Sequence, residues 1–164
     1  MKKLLLFVLL ASFSFGYGQN LSLSQLMSLR TMDLDDAELF LTQKGWSYSK
    51  GEAPSEEKFG VIQFVYNSTG DFDFGEAFIW KIYSYDGINI LKAQIGKQSK
   101  YLEYLTAVKN YKPELIFSGT EDDELVKVYR GATTTFKFST STAENTYGDD
   151  KAVWFLKIYS NDDY

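Results

Sequence analysis

Lysine recurs near the middle of successive segments that have the composition of β-strands. Six equivalent positions hold five lysines and one glutamine, and they are Gln63, Lys81, Lys92, Lys127, Lys137 and Lys157. Because side chains alternate between the two faces of a strand, a central position in every strand would put these groups on one face of a sheet. A row of ammonium groups attracts carboxylate, sulfate or phosphate groups. The spacing therefore predicts a surface that binds an anionic partner.

Aromatic residues flank these lysines in the same segments. Tyrosine and phenylalanine on a rigid sheet offer large contact area at a small entropic cost. The predicted binding residues are Lys81, Tyr83, Tyr85, Lys92, Lys127, Tyr129, Lys137, Phe155, Lys157 and Tyr159. The partner of such a face would be an acidic protein or an anionic glycan. The alternative is the solvated side of a half-covered antiparallel sheet, where lysine stems lie over apolar neighbours without a ligand.

Carboxylates form two further clusters that could do chemistry. Asp71, Asp73 and Glu76 place oxygen ligands close together and form a weak calcium candidate, since Gly75 comes too early for a calcium-binding loop. The run Glu121–Glu124 is typical of a solvated hairpin loop or of a patch for a basic partner. A carboxylate pair could also hydrolyse glycosides. The spacing nominates no such pair, so the sequence predicts no catalytic residue.

Composition excludes several classes of protein. The 164-residue chain has no cysteine and no histidine, which removes disulfides, lipid attachment at cysteine, histidine-dependent catalysis and the usual zinc sites. No motif for a cofactor is present. With 17 Lys and Arg against 22 Asp and Glu, the chain is acidic, and nucleic acid is not an expected partner.

The first eighteen residues have the pattern of an export signal. Lys2 and Lys3 precede an apolar run over 4–10, and small residues at Gly16 and Gly18 fit cleavage before Gln19. The apolar run is too short to span a bilayer as a helix. The sequence thus predicts a signal peptide over 1–18, a mature domain over 19–164 in the periplasm or outside the cell, and no membrane anchor after cleavage.

Three helices are predicted to position the strands. Leu23, Leu26 and Leu29 form an apolar stripe after a capping serine, Ser22 or Ser24. Asp33 is an N-cap for a second helix that ends at Gly45. Ser99 is the predicted cap of a third helix, which covers 100–110.

Eight strands complete the chain. The predicted segments are 46–50, 59–67, 76–86, 88–94, 115–118, 124–131, 133–141 and 151–160, with Asp86-Gly87 as a hairpin turn. Short connections favour antiparallel meanders, and helices with one apolar stripe need one face of a sheet to cover. We therefore predict a two-layer α+β domain, with an antiparallel sheet of about eight strands and helices on one face.

The pattern of one helical segment and four strands occurs twice, which suggests halves at 19–97 and 98–164. Short matches such as Leu91-Lys92 with Leu156-Lys157 and Val65-Tyr66 with Val128-Tyr129 support an offset of roughly 63 to 65 residues. A competing alignment pairs 81–84 with 157–160. This doubled design resembles the architecture of the β-lactamase inhibitory proteins, a likeness that implies a fold and no activity.

A second resemblance lies in the N-terminal third of the mature chain. Leu26, Leu29, Asp35-Asp36 and the sequence 44–46 are similar to a group of small signal-bearing proteins of unknown function from Gram-negative bacteria. The sequence as a whole favours an exported noncatalytic binding or inhibitor-like protein. The alternatives are a carboxylate-dependent hydrolase and a structural or interaction subunit of the cell envelope that adds an edge strand to its neighbours.

Overall fold

The computed structural model describes residues 20–68, 75–144 and 150–164. The predicted signal peptide lies outside the described residues. The helices are α1 (Leu23–Thr31), α2 (Leu34–Gln43) and α3 (Gln98–Asn110). The strands are β1 (Trp46–Glu52), β2 (Gly60–Tyr66), β3 (Ala77–Tyr83), β4 (Asn89–Ile95), β5 (Glu114–Glu121), β6 (Glu124–Arg130), β7 (Thr134–Glu144) and β8 (Asp150–Ser160).

Polar side chains begin the first two helices as predicted. Ser22 accepts a hydrogen bond from the Gln25 amide, and the Gln25 side chain accepts one from the Ser22 amide, which completes a capping box. Asp33 accepts from the Asp36 amide at the start of α2. The predicted cap Ser99 is wrong, because α3 begins two residues earlier than predicted, after Lys97, and has no side-chain cap.

All eight strands pair antiparallel in one sheet, in the order β1-β2-β3-β4-β8-β7-β6-β5. The three described helices pack on one side of it, so the predicted α+β fold is confirmed. Each half is a four-stranded meander, and the two meanders meet through their last strands, β4 and β8.

The pairing of β4 with β8 decides between the two internal alignments. Lys92 lies directly opposite Lys157, and Leu91 and Leu156 both face the helices. In the alignment at an offset of 63 to 65 residues, matched residues therefore lie on corresponding strands of the two meanders and on the same face of the sheet. The competing alignment equates Lys81 with Lys157, which lie on opposite faces of the sheet, so it does not keep the face, and a duplication of the two halves stays a prediction.

The two outermost strands share an irregularity. In β1 the pairing register with β2 shifts between Tyr48 and Lys50, and in β5 the register with β6 shifts between Leu115 and Phe117. Such shifts are β-bulges, which bend and twist the strand that carries them. Both edges of the sheet are thus bent.

The hydrophobic core lies between the helices and one face of the sheet, here called the helix side. Helix α1 packs on β4, α2 on β1, and α3 on β4 and β8. Ile79, Ala93, Leu156 and Phe138 are paired across β3, β4, β8 and β7 and are fully buried beneath these helices. Within the described residues, no helix is long and apolar enough to cross a membrane.

The sequence places Gln63 and the five lysines on the face of the sheet away from the helices. This assignment is correct for β2, β4, β7 and β8, and it is wrong for β3 and β6, whose lysines lie on the helix side. Because residues paired across neighbouring strands share a face, Phe78, Trp80 and Ile82 lie opposite the helix side. Val126 and Val128 lie on that same face, yet they are buried there. We name this second face, which the three helices leave uncovered, the open face.

Candidate anion-binding face

One row of paired residues crosses the open face through all eight strands. In spatial order from β1 to β5 it contains Lys50, Gln63, Trp80, Lys92, Lys157, Lys137, Val128 and Phe117. Three lysines are consecutive in this row, on β4, β8 and β7. We name Lys92, Lys157 and Lys137 the lysine row.

Two aromatic rings hold the ammonium group of Lys92. Its Nζ lies 4.9 Å from the centre of the Trp80 ring and 4.5 Å from that of Phe155. Both distances fall within the range of a cation–π interaction. Burial lowers the pKa of Lys92 from its ordinary value, and the neighbouring charge of Lys157 lowers it further, whereas Glu124 acts in the opposite direction. The charge of Lys92 is therefore held in a partly dehydrated place.

The lysine row is electrostatically costly for the folded protein. Like charges directly opposite each other on neighbouring strands destabilise a sheet. Lys92 faces Lys157, and Lys157 faces Lys137. Lys137 forms an ion pair with Glu121 at the end of β5. Glu121 offsets part of this repulsion, and an anion bound between the amines would offset more of it.

The lysine row lines a pocket of about 200 Å³. Its walls also contain Phe155, Val126, Ser139 and three carboxylates from the turn that joins β5 to β6. These carboxylates belong to Glu121, Asp122 and Glu124, which we name the acidic tip. A positive wall thus faces a negative one across this space.

The Trp80 ring, which lies beside Lys92 next to the pocket, is fixed by hydrogen bonds. The Trp80 indole N–H donates to Oε1 of Gln63 at 2.8 Å, and the Gln63 amide group donates to Oγ of Ser49 at 3.3 Å. Gln63 is buried, and Phe78 stacks on Trp80 with ring centres 5.8 Å apart. This chain of contacts from β1 to β3 keeps the indole ring in one orientation beside Lys92.

Tyr159 lies on the open face as predicted, but it has a partner within the chain. Its ring contacts that of Tyr164 edge to face, with centres 5.3 Å apart. Burial raises the pKa of Tyr159 to about 12, with smaller contributions from Tyr164 and Glu121. Tyr159 thus remains a neutral phenol over the physiological range.

Lys81 is not on the open face, and its assignment there is wrong. It is paired with Leu91 and is only 2 % exposed on the helix side. Its ammonium group donates to the backbone carbonyls of Leu29, Arg30 and Met32, at 3.1, 3.1 and 2.6 Å. These carbonyls belong to the C-terminal end of α1, which lacks intrahelical donors and carries partial negative charge. Lys81 therefore caps a helix.

Four further predicted residues also lie off the open face. Lys127 is exposed on the helix side of β6, and Tyr129 is buried in the core against Phe138. Tyr83 shares the helix side with Lys81. Tyr85 is 76 % exposed in the turn between β3 and β4. Of the ten predicted residues, the structure brings together Lys92, Lys137, Phe155, Lys157 and Tyr159.

Sequence reasoning missed Trp80 and the acidic tip. Because Trp80 and Lys81 are adjacent in β3, placing Lys81 on the binding face puts Trp80 on the face toward the helices, and the run 121–124 was expected as a solvated hairpin loop or a patch for a basic partner. The signal for the tip is that β5 and β6 meet in a two-residue turn, Asp122-Asp123, with φ of 48° and 63°. Two such residues at positive φ make a tight hairpin, which keeps Glu121 and Glu124 paired and on one face.

The calcium candidate is only partly within the described residues. Asp71 and Asp73 lie outside them, and the Glu76 carboxylate accepts a hydrogen bond from the Asn67 side chain at 3.0 Å. Among the described residues, no group of three or more acidic side chains is arranged to hold a metal ion.

Comparison of the chain with protein-family models, with curated proteins and with solved structures finds no match. The two resemblances noted in the sequence therefore stay predictions. What this chain could bind has to be argued from its own residues.

Proposed function

We propose that this protein is an exported, noncatalytic binding protein that recognises an anionic glycan through the lysine row of its open face. The observation that carries the proposal is the direct opposition of Lys92 with Lys157 and of Lys157 with Lys137. Mutual repulsion in this row decreases when an anionic group binds between the amines. The site would thus be stabilised by its ligand.

A glycan suits this site better than an extended acidic protein surface. The lysine row lines a concave pocket, whereas a standard protein interface is a broad surface of roughly 800 Å² on each partner. Phe155 lines this pocket and provides a flat apolar ring beside the amines, against which the C–H face of a sugar ring can pack. An acidic sugar would combine both contacts.

Export is supported by the pattern of the first eighteen residues, with its paired lysines, short apolar run and small residues before Gln19. Mass spectrometry of the protein purified from its own cells tests this part of the proposal. A mature N-terminus at residue 19 is expected. Retention of residues 1–18 would contradict it.

Binding is tested by calorimetry with trigalacturonic acid as the probe and a neutral trisaccharide as the control ligand. The double variant Lys92→Glu/Lys157→Glu should lose binding by at least about tenfold, because a repulsive pair replaces an attractive one. Lys127→Glu is the matched control, since it reverses one exposed lysine on the opposite face. Raising the salt concentration should weaken binding by the wild type.

Each other outcome has a defined meaning. Binding of hexaglutamate without binding of any acidic glycan would replace the glycan with an acidic protein as partner. Release of new reducing ends from the probe would favour the carboxylate-dependent hydrolase. Equal binding by the wild type and the double variant would overturn the proposed site.

A further inference from the structure

The acidic tip lies where a ligand of the lysine row would lie. Glu121, Asp122 and Glu124 line the same pocket as Lys92, Lys137 and Lys157. Glu121 forms an ion pair with Lys137, and the negative charge of Glu124 acts to raise the pKa of Lys92. The three negative and three positive side chains of the pocket cancel formally. The tip is therefore an internal anion already bound at the site.

A ligand with one negative charge gains little in such a pocket. It meets Lys137 already neutralised, and it experiences repulsion from the tip that offsets its attraction to Lys92 and Lys157. Pairs between partly exposed charges contribute only about 0.2–1 kcal/mol. A single acidic group thus has little net advantage over water and salt ions.

A ligand with several negative charges meets a different balance. The lysine row covers two strand spacings, roughly 10 Å, so separate acidic groups can contact Lys92 and Lys137 together. One group binds between Lys92 and Lys157, while a second displaces Glu121 from Lys137. The Glu121 side chain is 39 % exposed, so its carboxylate can move into water when it is displaced.

The position of the tip in the sheet favours such a displacement. Strand β5 is an edge strand that pairs only with β6. Movement of the tip breaks fewer backbone hydrogen bonds than movement of an inner strand would. The lysine row itself lies on the inner strands β4, β8 and β7, which pair on both sides.

We propose that the acidic tip determines specificity, by making the lysine row selective for glycans that carry two or more acidic groups at neighbouring positions. This inference rests on the proposed function of the lysine row. It assigns to Glu121 and Asp122 the role of internal competitors of the ligand.

The experiment compares galacturonic acid, with one carboxylate, and trigalacturonic acid, with three, by calorimetry at constant salt. The wild type should bind the trimer more than about tenfold more tightly than the monomer. Glu121→Gln and Asp122→Asn should each raise the affinity for the monomer by about threefold to fivefold and narrow that ratio. Thermal melting verifies that each variant is folded.

Asp123→Asn is the matched control. Asp123 is the other residue of the same turn, also has a positive φ, and does not line the pocket. The substitution Asp123→Asn removes the same charge from the same turn, and it should leave the affinities for the monomer and for the trimer unchanged. A general electrostatic effect would change Asp123→Asn as much as Asp122→Asn and would overturn the inference.

Failure of this inference can be told apart from failure of the proposed function. Binding of the trimer with an unchanged ratio in Glu121→Gln and Asp122→Asn would overturn selection by the tip and leave the lysine row as the binding site. Absence of binding of both sugars by every variant would overturn both proposals.

Discussion

Lys81 on β3 and Lys92 on β4 lie on neighbouring strands, but their ammonium groups are on opposite faces of the sheet and have different partners. Lys81 is buried and donates to three backbone carbonyls of the first helix and its cap. Lys92 lies over two aromatic rings and directly faces another lysine. The helix side satisfies its amine with fixed backbone dipoles, whereas the open face places three amines side by side and opposes them with the carboxylates of the acidic tip. This comparison teaches that the same residue type stabilises a helix end on one face and forms part of a charged pocket on the other.

The largest difference between the two faces is expected when an aromatic ring is removed from each. Phe138→Ala should lower the free energy of unfolding by about 3–5 kcal/mol, because the ring is fully buried against Tyr101 and Tyr129. Phe155→Ala, on the open face, should cost only about 1–2 kcal/mol. Urea denaturation measures both. Equal losses would show that the open face is a second core.

Removal of the two amines is the next test. Lys81→Met should lower the free energy of unfolding by about 1–3 kcal/mol, because three carbonyl groups at the end of α1 lose their donor. Lys92→Met keeps the length of the side chain on the open face and should not destabilise the protein. If Lys81→Met is as stable as the wild type, the helix-capping role of Lys81 is wrong.

The stability that Lys81 contributes should depend on pH. Burial lowers the pKa of Lys81 from 10.5 to about 8, Arg30 lowers it further, and Asp33 opposes both. Between these two values the unfolded chain binds a proton on Lys81 that the folded protein lacks, so stability rises with pH across this window. The difference in unfolding free energy between the wild type and Lys81→Met should therefore increase from about pH 8 to about pH 10.5. A constant difference would contradict a lowered pKa for Lys81.

The smallest effect is expected within the lysine row. Lys157→Met should raise the free energy of unfolding by about 0.2–1 kcal/mol, because Lys157 faces a lysine on both sides. The gain should shrink at high salt, where repulsion is screened. Lys127→Met, on the opposite face, is the control and should change little. A destabilised Lys157→Met would show that the row is not repulsive.

Much of the fold could be predicted from local patterns. Serine and aspartate caps begin α1 and α2, and short turns join the strands into meanders. On β8, polar or aromatic residues alternate with Leu156 and Ile158, so the two faces were assigned correctly. In such strands the side chains of one face are clearly more apolar than those of the other, and burial of the more apolar side chains determines which face lies beneath the helices.

Which face of β3 and of β6 lies toward the helices could not be predicted, because the side chains on both faces of each strand are apolar enough to be buried. On β3 the larger Phe78 and Trp80 suggested the core, yet the smaller Ala77 and Ile79 lie beneath the helices. The deciding contact is that of Lys81 with the end of α1, which is about 50 residues away in sequence. No local pattern contains that information.

Only the lysines of the candidate site could be predicted from the sequence, and the acidic tip could not, for a related reason. Lys92, Lys137 and Lys157 follow from alternation within single strands. The approach of Glu121 to Lys137 depends on how the edge hairpin bends over the open face, since the two residues belong to strands that do not pair. Twist and bending of a sheet accumulate over many strands and leave no short-range signal.

The bulges in β1 and β5 also affect how this protein behaves when molecules are crowded together. A flat edge strand is a template for pairing with another chain, and stacked sheets of that kind grow into fibrils. Here both terminal strands lose regular spacing, between Tyr48 and Lys50 and between Leu115 and Phe117. An incoming strand would find its hydrogen bonds out of step after a few residues. Irregular pairing at both edges therefore disfavours growth of this sheet by addition of strands from other molecules.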